Sequence, residues 1–212
     1  MILLGASVSP FVRKVLVVAA EKGMKLDNRP INPSTSTDPL FLSISPFRKI
    51  PALVDGDFKV ADSTAIITYF EALQPLPAVL PTAPRERARA IWFEEVADTI
   101  LFPAGQRVFF NRVVAPKFLK RAGDLAAAQD AQDSLLPPVY GYLESAVPDG
   151  EFLVGNALSI ADIAVASMLV NMTYCGAAPD AATYPKLAAF LGRMMARPCF
   201  AGALESDRAM LG

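Results

Sequence analysis

Residues 48–63 read RKIPALVDGDFKVADS, and the fold is decided by how this stretch is read. Ile50, Pro51, Ala52, Leu53 and Val54 form a short apolar run whose second residue has no backbone N–H to donate. Asp55, Gly56 and Asp57 then make a hairpin turn, and Phe58, Lys59 and Val60 alternate like a half-buried strand. Asp62 and Ser63 close the hairpin just before Ala65, Ile66, Ile67, Tyr69 and Phe70, whose spacing predicts a helix. A proline at the start of a strand gives up a ladder hydrogen bond. A cis peptide there turns the amide and carbonyl of the preceding residue outward, where an extended peptide ligand pairs as an added strand would. Asp62 and Ser63 sit at a helix N-terminus, whose free amides and positive dipole suit a ligand carboxylate.

Composition narrows the classes. The 212 residues suffice for one large domain or two small ones. Hydrophobic residues make up 53% and charged residues 19%, the balance of a globular rather than a disordered chain. A net charge of −1 gives no electrostatic reason to expect nucleic acid or an anionic membrane as partner. No apolar run approaches the ~20 residues of a membrane span, and the start, Met1 to Gly5, lacks the basic flank of a signal peptide. Cys175 and Cys199 lie far apart and in no metal or redox spacing, which fits a reducing, cytoplasmic setting. There are no histidines, so Ser-His-Asp triads, imidazole acid–base chemistry and His-ligated metals are excluded together.

Along the chain, Ile2 to Leu4 reads as a buried strand ending at Gly5. Ser9, Pro10 and then Phe11, Val12, Val15, Leu16 and Ala19 at helical spacing, stopped by Gly23, give a helix with both ends signalled. Residues 26–31 are a weak strand, and a short helix is expected around Leu40, Phe41 and Leu42. The order strand, helix, strand, short helix, strand, strand, helix is that of a thioredoxin-like α/β sandwich. Four prolines at 75, 77, 81 and 84 mark a linker. Everything beyond it is helical in pattern, so two domains are expected, residues 1–74 thioredoxin-like α/β and 84–212 all-α helical. Pro84 opens a helix with Ala88, Ile91, Trp92 and Val96 on one face, interrupted near Phe102 and Pro103. Pro137 and Pro138 are expected to kink a helix over 124–147, with Leu125, Ala128, Gln132, Tyr142, Leu143 and Val147 on one core face. Ser159 and Asp162 have capping-box spacing ahead of a helix apolar nearly all round, and carry no catalytic role.

Four motifs in order now carry a resemblance that spans the chain: the Ser9-Pro10-Phe11 helix start, the Ile50 to Ser63 hairpin, the Ser159 to Asp162 cap, and Tyr184-Pro185-Lys186-Leu187 with Arg193 to Pro198. Together they resemble the cytosolic glutathione transferases of the serine type. That resemblance implies the glutathione transferase fold, with glutathione as co-substrate, no bound cofactor and no metal. It further implies a cytoplasmic homodimer that detoxifies small hydrophobic electrophiles by joining them to glutathione. A non-catalytic glutathione-binding or regulatory interaction protein on the same fold is the alternative.

The resemblance also assigns residues. Ser9 becomes the hydroxyl that stabilises the glutathione thiolate, although the Ser-Pro pair by itself predicts only an N-cap. Ser7, on the same loop, is its rival. Redox-active relatives carry Cys where Ser9 stands, which argues against disulfide reduction. Ile50 offers its backbone to the glutathione cysteine while its side chain joins the core. Asp62 and Ser63 hold the γ-glutamyl amine and carboxylate, and Lys49 either pairs with the glycine carboxylate or is simply solvated. No residue of the 32–38 loop is identifiable as a helper. The electrophile is expected between the domains, with Phe11, Phe102, Gln106 and Phe109 or Phe110 as candidate contacts. The same aromatic stripe also reads as ordinary core. Arg13, Lys14, Arg85, Arg87 and Arg89 read as solvated faces or interface salt bridges.

Overall fold

A computed structural model describes all 212 residues. In chain order the first elements are β1 (Ile2–Leu4), α1 (Pro10–Glu21), β2 (Asp27–Arg29), α2 (Pro39–Ile44), β3 (Ala52–Asp55), β4 (Phe58–Ala61) and α3 (Ser63–Leu73). The helical elements that follow are α4 (Pro84–Glu95), α5 (Phe102–Phe109), α6 (Leu125–Ser134), α7 (Leu136–Ala146), α8 (Ile160–Tyr174), α9 (Pro185–Met195) and α10 (Pro198–Leu211), with π-helical stretches at Val96–Leu101 and Phe110–Phe118. Two compact units result: Met1–Val79 with Arg197–Gly212, and Leu80–Ala196.

In the first unit the four strands lie in the order β2-β1-β3-β4. β1 runs parallel to β2 and antiparallel to β3, and β3 pairs antiparallel with β4 through the Gly56–Asp57 turn. Gly56 takes φ +61, which a tight hairpin demands and glycine allows. Side chains alternate along each strand, so Leu4 and Ala52 pack on Phe41 of α2. Leu3 and Leu53, with no exposed surface, point to the opposite face. β3 begins at Ala52, two residues later than the apolar run from Ile50 suggests.

Two charged groups on α1 correct the expectation of a solvated face: Arg13 and Lys14 have no exposed surface. The Arg13 guanidinium donates to Asp207 Oδ2 on α10 through Nε (3.0 Å) and Nη2 (2.7 Å). The last helix, grouped with the 84–212 part in the sequence, packs on α1 within the first unit, and this pair joins the two. At the other end of α1, buried Lys22 donates to Gln74 O (2.7 Å) and Pro77 O (2.8 Å) and pairs with Glu71 (2.7 Å). Gln74 returns its amide to Lys22 O, so the proline-rich connector is fastened as far as Val79.

In the second unit α8 is the centre, every residue from Ile160 to Met172 being buried. A Cβ on Gly105 of α5 would come within 2.9 Å of Met172 Cε, so the two helices meet where α5 has no side chain. The chain from Pro84 to Phe118 is not interrupted at Phe102 and Pro103 as expected. It widens to π geometry instead, Phe102 N–H reaching back to Ala97 O, and so passes a residue without a backbone donor. The buried face of α4 is Ala90, Phe93 and Glu94; of the residues expected to share a face, Val96 just beyond the helix is buried, Ile91 is half-buried, and Ala88 and Trp92 are exposed. Trp92 stays 57% exposed because its indole N–H has a partner at the surface, the Tyr142 hydroxyl 2.7 Å away. At Pro137 and Pro138 the ladder stops for one residue, Leu135, which keeps right-handed helical dihedrals. Both prolines fall in the first turn of α7, where their missing N–H groups cost nothing. Ala128, Leu143 and Val147 are buried as expected, whereas Leu125 (64%) and Tyr142 (40%) are exposed.

Asp162 fixes the entry to α8. Its carboxylate accepts from Leu153 N (2.7 Å), Ser159 N (2.9 Å) and Ser159 Oγ (3.0 Å). Burial outweighs these donors and pushes its pKa from 3.8 up to about 6. A folded pKa above the unfolded one means that the native chain holds a proton the unfolded chain has released. The stability Asp162 contributes is therefore full below about pH 4 and lost as pH rises through 6, on the order of 2–4 kcal/mol. The stability difference between wild type and Asp162→Asn, measured by denaturant unfolding, should shrink over that interval; a constant difference from pH 4 to 7 contradicts the assignment.

The Arg13–Asp207 pair yields a second expectation. Asp207→Ala strands a buried guanidinium and should cost about 3–5 kcal/mol, whereas Arg13→Met combined with Asp207→Leu should recover most of the loss. Equal loss in the single and double variants would show that the cost is not that of an unpaired buried charge.

Candidate functional site

The site residues of the first unit cluster where β1 gives way to α1 and where the cis segment meets α3. β1 ends at Gly5, and a Cβ there would stand 2.5 Å from Val12 Cγ2 and 3.3 Å from Ile50 Cβ. The missing side chain thus lets the end of β1, the first turns of α1 and the segment at Ile50 converge. The loop from Gly5 turns through a Ser9 N–H bond to Ala6 O (3.0 Å) and enters the helix at Pro10.

The two serines of this loop have different surroundings. Ser7 is fully buried, and its hydroxyl donates to Ser206 Oγ (3.1 Å) and lies 3.6 Å from Met210 Sδ, both on α10. Ser9 is half-buried, extended (φ −73, ψ 125), and occupies the N-cap position without a side-chain bond to the first turn. Its carbonyl accepts from Arg13 N at 2.9 Å. The hydroxyl at the α1 N-terminus is accordingly not spent on capping.

The Ile50–Pro51 peptide is cis. Ile50 packs its side chain against the Leu4, Phe41 and Ala52 cluster, as expected of it. Pro51 O accepts from Asp62 N at 3.3 Å, joining the start of β3 to the start of α3. Asp62 is a non-glycine residue at φ +88, and its Oδ1 accepts from Thr64 N (2.9 Å) and Ala65 N (3.1 Å). It is therefore the N-cap of α3. Ser63, the first residue of that helix, is 2% exposed. Lys49 is exposed.

Two neighbours were not singled out by sequence. Arg48, at φ +53, donates from Nη1 to Ser36 O (3.0 Å), tying the cis segment to the 32–38 loop that offered no recognisable helper. Ser45 is buried and bonds to Lys49 through both of that residue's backbone polar groups. Neither role has a sequence signature, because each depends on where a backbone carbonyl points.

Of the other candidates, Phe11 on α1 is half-buried with Lys14 Nζ 5.8 Å from its ring centroid. In the second unit Phe102 is half-buried, Gln106 is exposed, and Phe109 is a core residue at 7% exposure. Phe110 is half-buried beneath the Arg121 guanidinium, 5.5 Å from its ring. Both cysteines are buried, and burial pushes each thiol up to about 11, so neither supplies a thiolate near neutral pH. No three His, Cys, Asp or Glu side chains gather to hold a metal ion. No helix is long and apolar enough to cross a membrane.

A mixed four-stranded sheet with flanking helices, joined to an all-helical region, defines a thioredoxin-like protein carrying a helical C-terminal part. Family models sharpen this class. Residues 3–78 match the glutathione S-transferase N-terminal domain, and residues 109–207 match the glutathione S-transferase C-terminal domain. Glutathione S-transferase 3 of Zea mays is 31% identical over 93% of this chain and 90% of its own. FtsZ-localized protein A of Caulobacter vibrioides is 28% identical over 76% of this chain and 72% of its own. A solved structure of glutathione S-transferase III in its apo form superposes with a TM-score of 0.82 at 28% identity, covering 96% of this chain and 95% of that one. The chain belongs to the glutathione S-transferase family.

Proposed function

We propose that this protein is a glutathione transferase that activates the glutathione thiol for attack on small hydrophobic electrophiles, with Ser9 as the residue that touches the sulfur. The observation that carries this reading is the contrast between the two loop serines. Ser7 is occupied by α10, while Ser9 stands at a helix N-terminus with no capping bond. A hydroxyl donating to sulfur, beside the free amides and positive dipole of that helix end, favours thiolate over thiol. The thiol proton passes to solvent, and the sulfur lone pair forms the new bond to carbon. In a substitution, the leaving group departs with the electrons of the bond that breaks.

Glutathione itself lies along the cis segment in this reading. The Ile50 backbone pairs with its cysteine, and Lys49 meets its glycine carboxylate. Asp62 takes the γ-glutamyl ammonium; both cap bonds fall on its Oδ1, which leaves Oδ2 to the ligand. Ser63 and the first amides of α3 receive the γ-glutamyl carboxylate. The protein acts in the cytoplasm, with no nucleic acid or membrane partner.

The second reading is a non-catalytic glutathione-binding interaction protein, favoured by the similarity to a protein named for its localisation with FtsZ. Turnover of a model aryl halide, run beside retention on immobilised glutathione, separates the two. Retention without turnover across a broad panel of electrophiles selects the interaction protein.

Ser9→Ala should lower turnover by roughly a hundredfold, the scale for losing one preorganised hydrogen-bond donor. The acidic limb of its pH–rate profile should move to higher pH, because the bound thiol loses its partner. Since Ser9 makes no cap bond, stability should change by less than about 0.5 kcal/mol. Normal turnover with a loss of ~1 kcal/mol would instead assign Ser9 to capping alone.

A homodimer is part of the proposal. α4 presents Arg85, Arg87, Arg89 and the exposed Trp92, a surface suited to a partner's acidic groups. Light scattering at micromolar concentration should give twice the 22.7 kDa chain mass; a single species at the chain mass rules the dimer out.

A further inference from the structure

Ser45 uses every hydrogen-bonding group it has inside one short loop. Its N–H donates to Phe41 O (2.9 Å), ending α2, and its carbonyl accepts from Arg48 N (3.0 Å). Its hydroxyl accepts from Lys49 N (2.8 Å) and donates to Lys49 O (2.7 Å). The residue is 2% exposed, so these bonds are shielded from competing water. Lys49 is exposed and directly precedes the cis Ile50–Pro51 peptide, so its two backbone anchors fix where the segment begins. Ser36 O, held by Arg48, ties the same loop from its outer side.

We propose that Ser45 is a positioning residue for glutathione: its buried hydroxyl holds the Lys49 backbone, and through it the Ile50 amide and carbonyl, in the ligand-binding arrangement before glutathione arrives. This rests on the reading that Lys49 and Ile50 receive glutathione. A ligand that binds an already ordered strand pays no ordering entropy for it, so the clamp acts on affinity rather than on the chemical step. Without the hydroxyl, the Lys49 N–H and C=O lose their partner and the segment must be ordered by the ligand instead.

The test compares wild type, Ser45→Ala, Ser45→Thr and, as a control, Ser43→Ala, an exposed serine whose hydroxyl bonds only to Leu40 O. Calorimetry with glutathione should give roughly tenfold weaker binding for Ser45→Ala. Ser45→Thr, which keeps the hydroxyl, should bind like wild type, as should Ser43→Ala. Steady-state turnover of the aryl halide should place most of the Ser45→Ala loss in the glutathione KM and little in kcat. A general loss of structure would lower kcat alike and would not be rescued by threonine. In the wild-type protein, the Lys49 amide should already be protected from hydrogen exchange without glutathione, and saturation with glutathione should add little. That measurement stands even where Ser45→Ala does not fold. Wild type that does not bind glutathione overturns the transferase reading and this role with it. Wild type that binds, with Ser45→Ala binding equally or with Lys49 protected only once glutathione is present, overturns the role of Ser45 alone.

Discussion

A guanidinium removed wholly from water is tolerable only against a carboxylate equally removed, and Arg13 with Asp207 meets that condition by two hydrogen bonds to one oxygen. Much of the first unit's arrangement depends on the pair. It brings the last helix back onto the first, although 194 residues separate them in sequence. It also fixes the first turn of α1, where Gly5 admits the adjacent Val12, while Lys22 fastens the C-terminal end to the connector. A helix held at both ends presents its N-terminus in one place. The chemistry proposed for Ser9 requires that, since a hydroxyl acts on a thiolate only within hydrogen-bond reach.

Features written in local chemistry were legible in the sequence. Ser9, Pro10 and Gly23 mark the two ends of α1, Gly56 the hairpin, and Ser159 with Asp162 the entry to α8, because caps and turns are decided by neighbours within a few residues. The order of strands and helices followed from the same signals. What depends on distant partners was not legible. Arg13 read as a solvated face or an interface salt bridge because nothing near it reveals Asp207, and the bond from Trp92 to Tyr142 had no signature because its partner lies 50 residues on. The passage through Phe102 and Pro103 looked like a break because a proline in regular α geometry costs a bond and a clash. Widening the turn to π avoids both without leaving the helix.

The candidate site divides along the same line. Ile50, Asp62 and Ser63 were readable as candidates because a proline at a strand start and an acidic residue at a helix start are each unusual by themselves. The choice between Ser7 and Ser9 was not, since two positions on one loop are equivalent until something buries one of them. α10 makes that difference by taking the Ser7 hydroxyl. The arrangement has an economy: the helix returned by Arg13 and Asp207 to pack on α1 also occupies the rival of the residue that α1 presents. Packing, not spacing, gives the two serines different surroundings.

Backbone strain points to the same stretch. Only three non-glycine residues take positive φ, and two of them, Arg48 and Asp62, stand at the two ends of residues 48–62. Each costs on the order of 1–2 kcal/mol relative to a right-handed or extended conformation. Glycine would remove that cost, but it would also remove a side chain in use. Arg48 reaches Ser36 O across the loop, and Asp62 caps two amides of α3. The bonds offset the strain, and in exchange the chain turns sharply at both ends of the cis segment. Strain kept at a turn whose side chains are fully employed would be explained by structure alone. Asp62 differs in having one carboxylate oxygen beyond its two cap bonds, in an exposed residue at a helix start. Of the two left-handed positions, it is the one with a carboxylate oxygen open to the ligand ammonium proposed for it.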